Sequence, residues 1–319
     1  MEAKQDAAAR EVALDLSPFL IVYKDGSIHR LDGNSVVPPL QVPGQVNSKD
    51  VVYSSEHSLR CRVFLPATVD PGRKLPLLVY YHGGGFSLGS PFSPIYHNYV
   101  VSLVEEANVV AVSVDYRLAP EHVIPAAYED SWSALKWVAS HAGGDGSEEW
   151  LNSYADFSRV FLAGDSAGAN ICHHMITRNK KEEIQGMGIV GCVLIHPFFW
   201  GKEAIGNEPT EPENREFPER VWQFASPASD GCNDARINPH LDADFGSLSC
   251  RKLLVIVAEL DVLRDRGLHY SHKLKESGWD GAVELMEVEG EHHVFHLNNA
   301  GGHKAVAMRK RIASFIAGS

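Results

Sequence analysis

The sequence predicts an α/β fold built on a mainly parallel central sheet with helices on both faces. Three observations carry this prediction. Short, continuously apolar segments typical of buried strands recur along the chain. Segments with helical periodicity alternate with them, which is the pattern of a parallel sheet. One strand-to-helix junction carries Gly164-Asp165-Ser166-Ala167-Gly168, in which a serine stands between small neighbours.

The alternation can be followed from Ser48 to the C-terminus. Ser48–Tyr53 and Leu59–Leu65 alternate polar and apolar residues and predict an antiparallel strand pair. Leu75–Tyr81 is apolar throughout, which predicts a strand buried on both faces. Further strands are predicted at 109–114, 159–163, 189–195, 253–257 and 283–288, with helices at 95–106, 125–140, from 169 onward, 267–277 and 303–316.

Two segments interrupt this alternation, residues 1–45 and 197–230. Both are rich in apolar and aromatic residues, and both contain prolines that break regular structure. We expect a single domain over residues 1–319 in which these segments form a cap over the sheet. Residues from about 14 to 40 are expected to pack beside Trp200 and Trp222, above Ser166.

Composition excludes several classes of protein. The chain has 319 residues, 44% of them hydrophobic, enough for a large core. A formal net charge of -12 argues against a nucleic-acid partner. We find no apolar run long enough to cross a bilayer and no signal-peptide core in the charged N-terminus. We therefore expect a cytoplasmic protein, monomeric or a weak homodimer, that acts on a small molecule and not on membranes.

The cysteines and histidines do not suggest a metal site. The five cysteines form no Cys-x-x-Cys pair, and neither they nor the histidines have zinc-ligand spacing. An odd number of separated cysteines is typical of reduced thiols, mostly buried as small apolar residues. We expect no metal and no cofactor.

The Gly-x-Ser-x-Gly turn between a strand and a helix is typical of a nucleophile elbow. Gly164 and Gly168 have no Cβ that could collide with neighbouring backbone in so tight a turn. The turn would expose the hydroxyl of Ser166 above the sheet edge. It would also aim the N–H of Ala167, at the start of the helix, toward an incoming carbonyl oxygen.

A serine nucleophile needs a histidine base held by a carboxylate. In this type of fold the acid and then the base follow the serine along the chain, each after a strand. The strand at 253–257 is followed by Glu259 and Asp261, and position favours Asp261. The strand at 283–288 is followed by His292 and His293. The residues themselves leave the choice between these two histidines open.

The developing oxyanion also needs hydrogen-bond donors. Gly83, Gly84 and Gly85 follow the strand at 75–81, and glycines let backbone N–H groups come close to a substrate oxygen. We expect the N–H groups of Gly84, Gly85 and Ala167 to be the donors, with Gly83 shaping the loop. Candidates for an apolar substrate pocket are Phe86, Trp200, Trp222, Phe224, Val262 and Leu263.

Together these motifs resemble the hormone-sensitive-lipase branch of the α/β-hydrolases. The resemblance is carried by His82-Gly83-Gly84-Gly85, Asp115-Tyr116-Arg117-Leu118-Ala119-Pro120-Glu121-His122, the Ser166 elbow, Asp261, and His293 two residues before Phe295. The stretches Leu16–Gly26, Pro125–Asp130 and Phe198–Gly201 resemble the plant carboxylesterase subgroup.

The resemblance implies an α/β-hydrolase fold and a Ser166–His293–Asp261 triad, because the family histidine stands two residues before a phenylalanine. Retention of all three residues favours a serine carboxylesterase. The expected substrate is a small, largely apolar ester of a plant specialised metabolite. The alternatives are a dehydratase, another lyase or a cyclase on the same scaffold, and a hormone receptor. Receptors of this subgroup have lost the histidine, which argues against that last alternative. Arg117, Glu121 and Asp165 are expected to support the loops.

Overall fold

Eleven strands, eight α-helices and two short 3-10 helices lie in residues 11–17, 19–31, 35–42, 44–70 and 72–318, the part of the chain that a computed structural model describes; strands and helices alternate from Leu75 onward. The charged N-terminus lies outside these residues. The strands are β1 Val12–Leu16, β2 Leu20–Tyr23, β3 Ile28–Arg30, β4 Asn47–Ser54, β5 Leu59–Leu65, β6 Leu75–Tyr81, β7 Val110–Asp115, β8 Ala155–Asp165, β9 Ile189–Ile195, β10 Lys252–Ala258 and β11 Ala282–Val288. The helices are α1 Pro94–Ala107, α2 Ala126–Ala139, α3 Glu149–Tyr154, α4 Ala167–Lys181, α5 Pro212–Ala225, α6 Arg264–Glu276, α7 Phe295–Asn298 and α8 His303–Ala317.

Strands β4 to β11 form one eight-stranded sheet in the order β11-β10-β9-β8-β6-β7-β5-β4. The β4–β5 and β5–β7 pairs are antiparallel, and all other neighbouring pairs in this sheet are parallel. The predicted fold class is confirmed, because the sheet is mainly parallel and a helix connects most successive strands. Two apolar cores lie on opposite faces of it, one including Trp132 and Leu135 of α2, the other Leu103 of α1 and Met308 of α8.

The parallel strands bring the loops that follow them to one edge of the sheet. This follows because the carboxyl ends of the six strands β6 to β11 all point the same way. The loop after β6 carries the three consecutive glycines, and Ser166 directly follows β8. His196 follows β9, and the loops after β10 and β11 contain Asp261 and His293.

The N-terminal residues form a separate antiparallel sheet, β1-β2-β3, that contacts helix α5. The rings of Phe19 and Phe217 stack with their centres 5.5 Å apart. The guanidinium of Arg220 donates to the backbone oxygen of Asp15 at 2.6 Å. On the other side of the small sheet, Arg30 donates to the backbone oxygen of Ser87 at 2.8 Å. The small sheet therefore joins α5 to the loop that carries the glycines.

The expectation that this segment packs beside Trp200 and Trp222 needs correction. Both tryptophan side chains are fully buried beneath the contact, which is made by Phe217 on the exposed side of α5. Both rings belong to the core on that face of the sheet, so they do not meet a segment lying above it. Among the described residues, no helix is long and apolar enough to cross a membrane.

Candidate active site

Ser166 occupies a strained backbone conformation between β8 and α4. Its φ is 51° and its ψ is -116°, a region that residues with a side chain rarely adopt. The turn brings α4 against β6 so closely that a Cβ on Gly168 would lie 2.0 Å from the backbone oxygen of Tyr81. The backbone N–H of Ser166 donates to the oxygen of Ile195 at 2.8 Å. Small neighbours and the adjoining strand thus hold the serine in the geometry of a nucleophile elbow.

Ser166, His293 and Asp261 form one hydrogen-bonded chain. The Ser166 hydroxyl lies 3.0 Å from Nε2 of His293, and Nδ1 of His293 lies 2.6 Å from Oδ2 of Asp261. The other carboxylate oxygen of Asp261 accepts the N–H of Leu263 at 2.9 Å. With Nδ1–H donating to the carboxylate, Nε2 is left as an acceptor for the serine proton.

The pKa values of the acid and the base are pushed apart. Burial works to raise the pKa of Asp261, but the charge on His293 and the hydrogen bonds from His293 and Leu263 hold it below its ordinary value. Burial works to lower the pKa of His293, but the carboxylate of Asp261 and its hydrogen bond outweigh burial and raise it. An ionised acid beside an imidazole of raised basicity suits general base catalysis.

The two rival residues lie outside this chain. Glu259 is exposed, and its carboxylate accepts the N–H of Gly290 at 2.7 Å. His292 is exposed and lines the cavity beside the serine, but it makes no hydrogen bond to Ser166 or Asp261 in the described structure. The geometry therefore brings together Asp261 and His293, the pair that the resemblance implied.

The glycine loop presents two of its three residues to the site. Gly84 and Gly85 line the cavity that contains Ser166, with φ values of +107° and +58° that favour glycine. The N–H of Gly83 is already engaged, because it donates to the hydroxyl of Tyr96 at 2.9 Å. The hydroxyl of Tyr96 therefore anchors the loop at Gly83, while Gly84 and Gly85 face the site. Ala167 is buried at the first position of α4, next to the serine.

The buried carboxylate of Asp165 supports this loop. Asp165 accepts hydrogen bonds from the hydroxyls of Tyr80 at 2.7 Å and of Tyr96 at 2.9 Å. Burial raises the pKa of Asp165 to about 6, against the opposing effect of the two tyrosine hydrogen bonds. Tyr96 thus connects the residue before the nucleophile to Gly83. From sequence, Asp165 is expected to support the loops, whereas no sequence pattern points to Tyr80 or Tyr96.

Two adjoining cavities meet at Ser166, Gly85, His293 and Phe19. The first, of about 310 Å³, extends toward Leu88, Ile95 and Leu297. The second, of about 340 Å³, extends toward α5 and the loop after β10. Its apolar lining consists of Phe19, Phe198, Phe217, Pro218, Val221, Leu260, Val262 and Leu263.

Of the six predicted pocket residues, Val262 and Leu263 line the second cavity, and the other four do not. Phe86 and Trp222 pack against each other in the core, with ring centres 6.1 Å apart. Trp200 is fully buried, and the guanidinium groups of two arginines, Arg215 and Arg266, cover its ring. Phe224 lies one helical turn beyond Val221 and packs against the core. The rings of Phe86, Trp200 and Trp222 fill the interior and are unavailable to substrate, whereas the half-buried ring of Phe224 packs against the core outside both cavities.

The charged motif after β7 supports loops, as expected from sequence, but through two separate ion pairs. Arg117 donates to the buried carboxylate of Asp130 at 2.7 and 2.8 Å. Glu121 accepts from Arg30 of the small N-terminal sheet at 2.6 and 2.9 Å. Glu121 therefore ties the small sheet to the loop after β7.

One further histidine stands beside the triad. His196, Asp261 and His293 offer side-chain ligand atoms that all lie within 4.8 Å of one another. Because Asp261 and His293 already share a hydrogen bond of 2.6 Å, we assign this group to the triad and not to a metal. No sequence pattern points to His196, a lone histidine that follows an apolar strand.

Comparisons with known proteins identify the family and the fold. Residues 78–297 match the model of a family described as having the alpha/beta hydrolase fold. The chain is 49% identical to "Probable carboxylesterase 13" of Arabidopsis thaliana, over 97% of this chain and 98% of that protein. It is 43% identical to "Tuliposide A-converting enzyme 1, chloroplastic" of Tulipa gesneriana, over 97% of this chain and 79% of that protein. A solved esterase from Pyrobaculum calidifontis superposes with a TM-score of 0.68 at 30% identity, covering 85% of each chain.

Proposed function

The chain belongs to the α/β-hydrolase family, and on that premise we propose that it hydrolyses a small carboxylic ester through an acyl-enzyme on Ser166. Relatives named as plant carboxylesterases support a carboxylic ester hydrolase. The observation that carries the mechanism is the hydrogen-bonded chain from Ser166 through His293 to Asp261, at 3.0 and 2.6 Å.

In the first half-reaction, Oγ of Ser166 attacks the ester carbonyl while Nε2 of His293 takes the hydroxyl proton. The resulting imidazolium is stabilised by the carboxylate of Asp261. When the tetrahedral intermediate collapses, the bond to the leaving alcohol breaks and Nε2 of His293 returns the proton to the alcohol oxygen. The acid part of the substrate then remains bound to Ser166 as an ester.

In the second half-reaction, water takes the place of the alcohol. Nε2 of His293 removes a proton from the water, whose oxygen attacks the acyl carbon. Collapse releases the carboxylic acid and returns the proton to Oγ of Ser166. In both halves the oxyanion is held by the N–H groups of Gly84, Gly85 and Ala167, and each such donor is worth about 3 to 4 kcal/mol in the transition state.

The lining of the site favours a neutral, largely apolar substrate. Phenylalanine and aliphatic side chains dominate the second cavity, and no lysine or arginine lines either cavity among the described residues. The β1–β3 sheet and α5 supply Phe19 and Phe217 to its roof. We therefore assign the segments 1–45 and 197–230 the role of a cap that excludes water and contacts the substrate. Relatives named as a carboxylesterase and as a tuliposide A-converting enzyme support an ester of a plant metabolite as the substrate.

The test is hydrolysis of a chromogenic short-chain ester combined with the substitution Ser166→Ala. We expect turnover to fall by roughly 10⁶-fold, the loss typical of a triad nucleophile. Ser93→Ala is the matched control, because Ser93 lines the same cavity while its hydroxyl donates to the backbone oxygen of Ser90. Ester turnover retained in folded Ser166→Ala protein would overturn the mechanism. A folded wild-type protein inert toward a broad panel of esters would favour elimination chemistry instead.

We also propose that the protein works in the cytoplasm as a monomer or weak homodimer, without a nucleic-acid or membrane partner. The acidic net charge of -12 argues against a nucleic-acid partner, and among the described residues no helix is long and apolar enough to cross a membrane. The tulip relative is named as chloroplastic, so location needs its own experiment. A fluorescent fusion in plant cells tests the compartment, and sedimentation at several concentrations tests the oligomeric state. Import into an organelle would overturn the first part.

A further inference from the structure

His196 is a buried histidine that the hydrolytic mechanism does not use. It directly follows β9, is 1% exposed, and has a φ of 45°. Its backbone N–H donates to the oxygen of Ile256 in β10 at 2.8 Å. The residue before it, Ile195, accepts the N–H of Ser166. The backbone at His196 is therefore fixed between the strand that precedes Asp261 and the turn that carries the nucleophile.

The side chain of His196 reaches the third element of the triad. Its Nδ1 accepts the backbone N–H of Val294 at 3.1 Å. An imidazole nitrogen that accepts a hydrogen bond from a backbone N–H carries no proton itself, so the proton of the neutral ring is on Nε2. Burial, and then the neighbouring His296 and His293, hold the pKa of His196 well below its ordinary value, so the ring stays neutral.

The N–H that His196 accepts belongs to the peptide bond joining His293 to Val294. Val294 has a φ of 49°, a costly conformation for a β-branched residue, which needs surrounding contacts to hold it. A hydrogen bond to that peptide fixes the plane from which His293 projects. The rings of His196 and His293 lie 5.8 Å apart, and Phe295 and His296 pack against His196 on its other sides.

We propose that His196 is a positioning residue for the catalytic base: its neutral imidazole accepts the N–H of the His293–Val294 peptide and holds His293 between Asp261 and Ser166. The proposal rests on the proposed hydrolytic function. It concerns a role distinct from proton transfer, because His196 does not contact the reacting atoms. An error of about 1 Å in the placement of a catalytic group costs on the order of 10²-fold in rate.

Two substitutions test the hydrogen-bond acceptor of His196 separately from the positive φ at this position. His196→Asn keeps an acceptor, because its side-chain oxygen can take the position of Nδ1, and asparagine tolerates a positive φ. His196→Gly also suits a φ of 45° but has no acceptor. We expect kcat for a chromogenic ester to fall roughly 10²-fold in His196→Gly, with KM nearly unchanged, and to stay within a few-fold of wild type in His196→Asn.

Equal activity of His196→Gly and wild type would overturn the proposal, as would a loss in His196→Asn as large as that in His196→Gly. A change confined to KM would also count against it, since positioning of the base acts on the chemical step. Nitrogen-15 NMR of the histidines in the wild-type protein needs no variant to fold: we expect Nδ1 of His196 to be unprotonated between pH 6 and 8, and a proton there overturns the proposal. A wild-type protein without esterase activity would defeat the proposed function. The NMR result would still decide whether Nδ1 of His196 can accept the N–H of Val294.

Discussion

The hydroxyl of Tyr96 makes two buried hydrogen bonds beneath the oxyanion loop, and Tyr96→Phe removes both while keeping the ring. The N–H of Gly83 loses its acceptor, and Asp165 loses one of its two tyrosine donors. An unsatisfied buried N–H costs about 1–3 kcal/mol, and a hydrogen bond to a charged group contributes about 1.5–3 kcal/mol. Because Asp165 keeps its bond to Tyr80, we expect the free energy of unfolding to fall by about 3 kcal/mol.

The matched control is Tyr99→Phe, in the same helix α1. Tyr99 is also buried, but its hydroxyl has no hydrogen-bond partner in the described structure. Because that hydroxyl is buried without a partner, removing it should leave the free energy of unfolding unchanged or raise it. Urea unfolding followed by tryptophan fluorescence measures both variants. If Tyr96→Phe is no more destabilising than Tyr99→Phe, the hydroxyl of Tyr96 does not hold the loop.

The same substitution tests how the loop supports catalysis. Gly83 precedes the two glycines that face the site, so a loosened Gly83 displaces the oxyanion donors without removing them. We expect Tyr96→Phe to lower kcat by roughly tenfold, less than the 10²–10³-fold that loss of an oxyanion-hole donor costs. KM should change little. An unchanged kcat in a destabilised protein would mean that the loop keeps its geometry without this anchor.

Three further predictions concern the base, its pKa and the cap. His293→Ala should abolish ester turnover, while His292→Ala should keep most of it; the opposite pattern would move the base to His292. Because the Asp261 carboxylate raises the pKa of His293, kcat/KM should fall as the pH drops through a midpoint above that of an ordinary histidine. Asp261→Asn removes the carboxylate that raises this pKa. A pH–rate profile of the variant should show the midpoint at lower pH and a rate reduced by about 10⁴-fold. An unmoved midpoint would assign the titration to another group. Phe19→Ala should raise KM for bulky apolar esters and leave small esters almost unaffected, since Phe19 lines both cavities and stacks on Phe217; equal effects on both ester sizes would remove Phe19 from the substrate site.

Sequence patterns located the elements of this fold closely, because those patterns are local. The apolar pattern predicts buried strands at Leu75–Tyr81 and Ile189–Ile195, and the structure has strands with those same bounds. The tight turn at Ser166 could also be predicted, since the steric demand for small residues acts on consecutive positions. The order of serine, acid and histidine after successive strands then limited the triad to a few candidates.

The residues themselves could not choose between His292 and His293, which follow the same strand one position apart. Which ring points at Ser166 depends on the backbone after β11, where Val294 has a positive φ and its N–H is bound by His196, 98 residues earlier. No property of the two histidines reports that distant contact. Resemblance to a family identified the same histidine by its spacing from Phe295, which is information that the physics of this single chain does not supply.

The sequence by itself determined the sheet, the elbow and the candidate triad; the tertiary structure alone decided the substrate cavity and the supports behind it. Aromatic rings in an irregular insertion are equally suited to a core and to a pocket, so composition could not reveal that Trp200 and Trp222 fill the core. Phe19 reaches the cavity only because a small sheet near the N-terminus packs on α5. Tyr96 and Asp165 meet across 69 residues of chain. Such contacts depend on how separate elements pack, and packing leaves no periodic signature in either partner's own sequence.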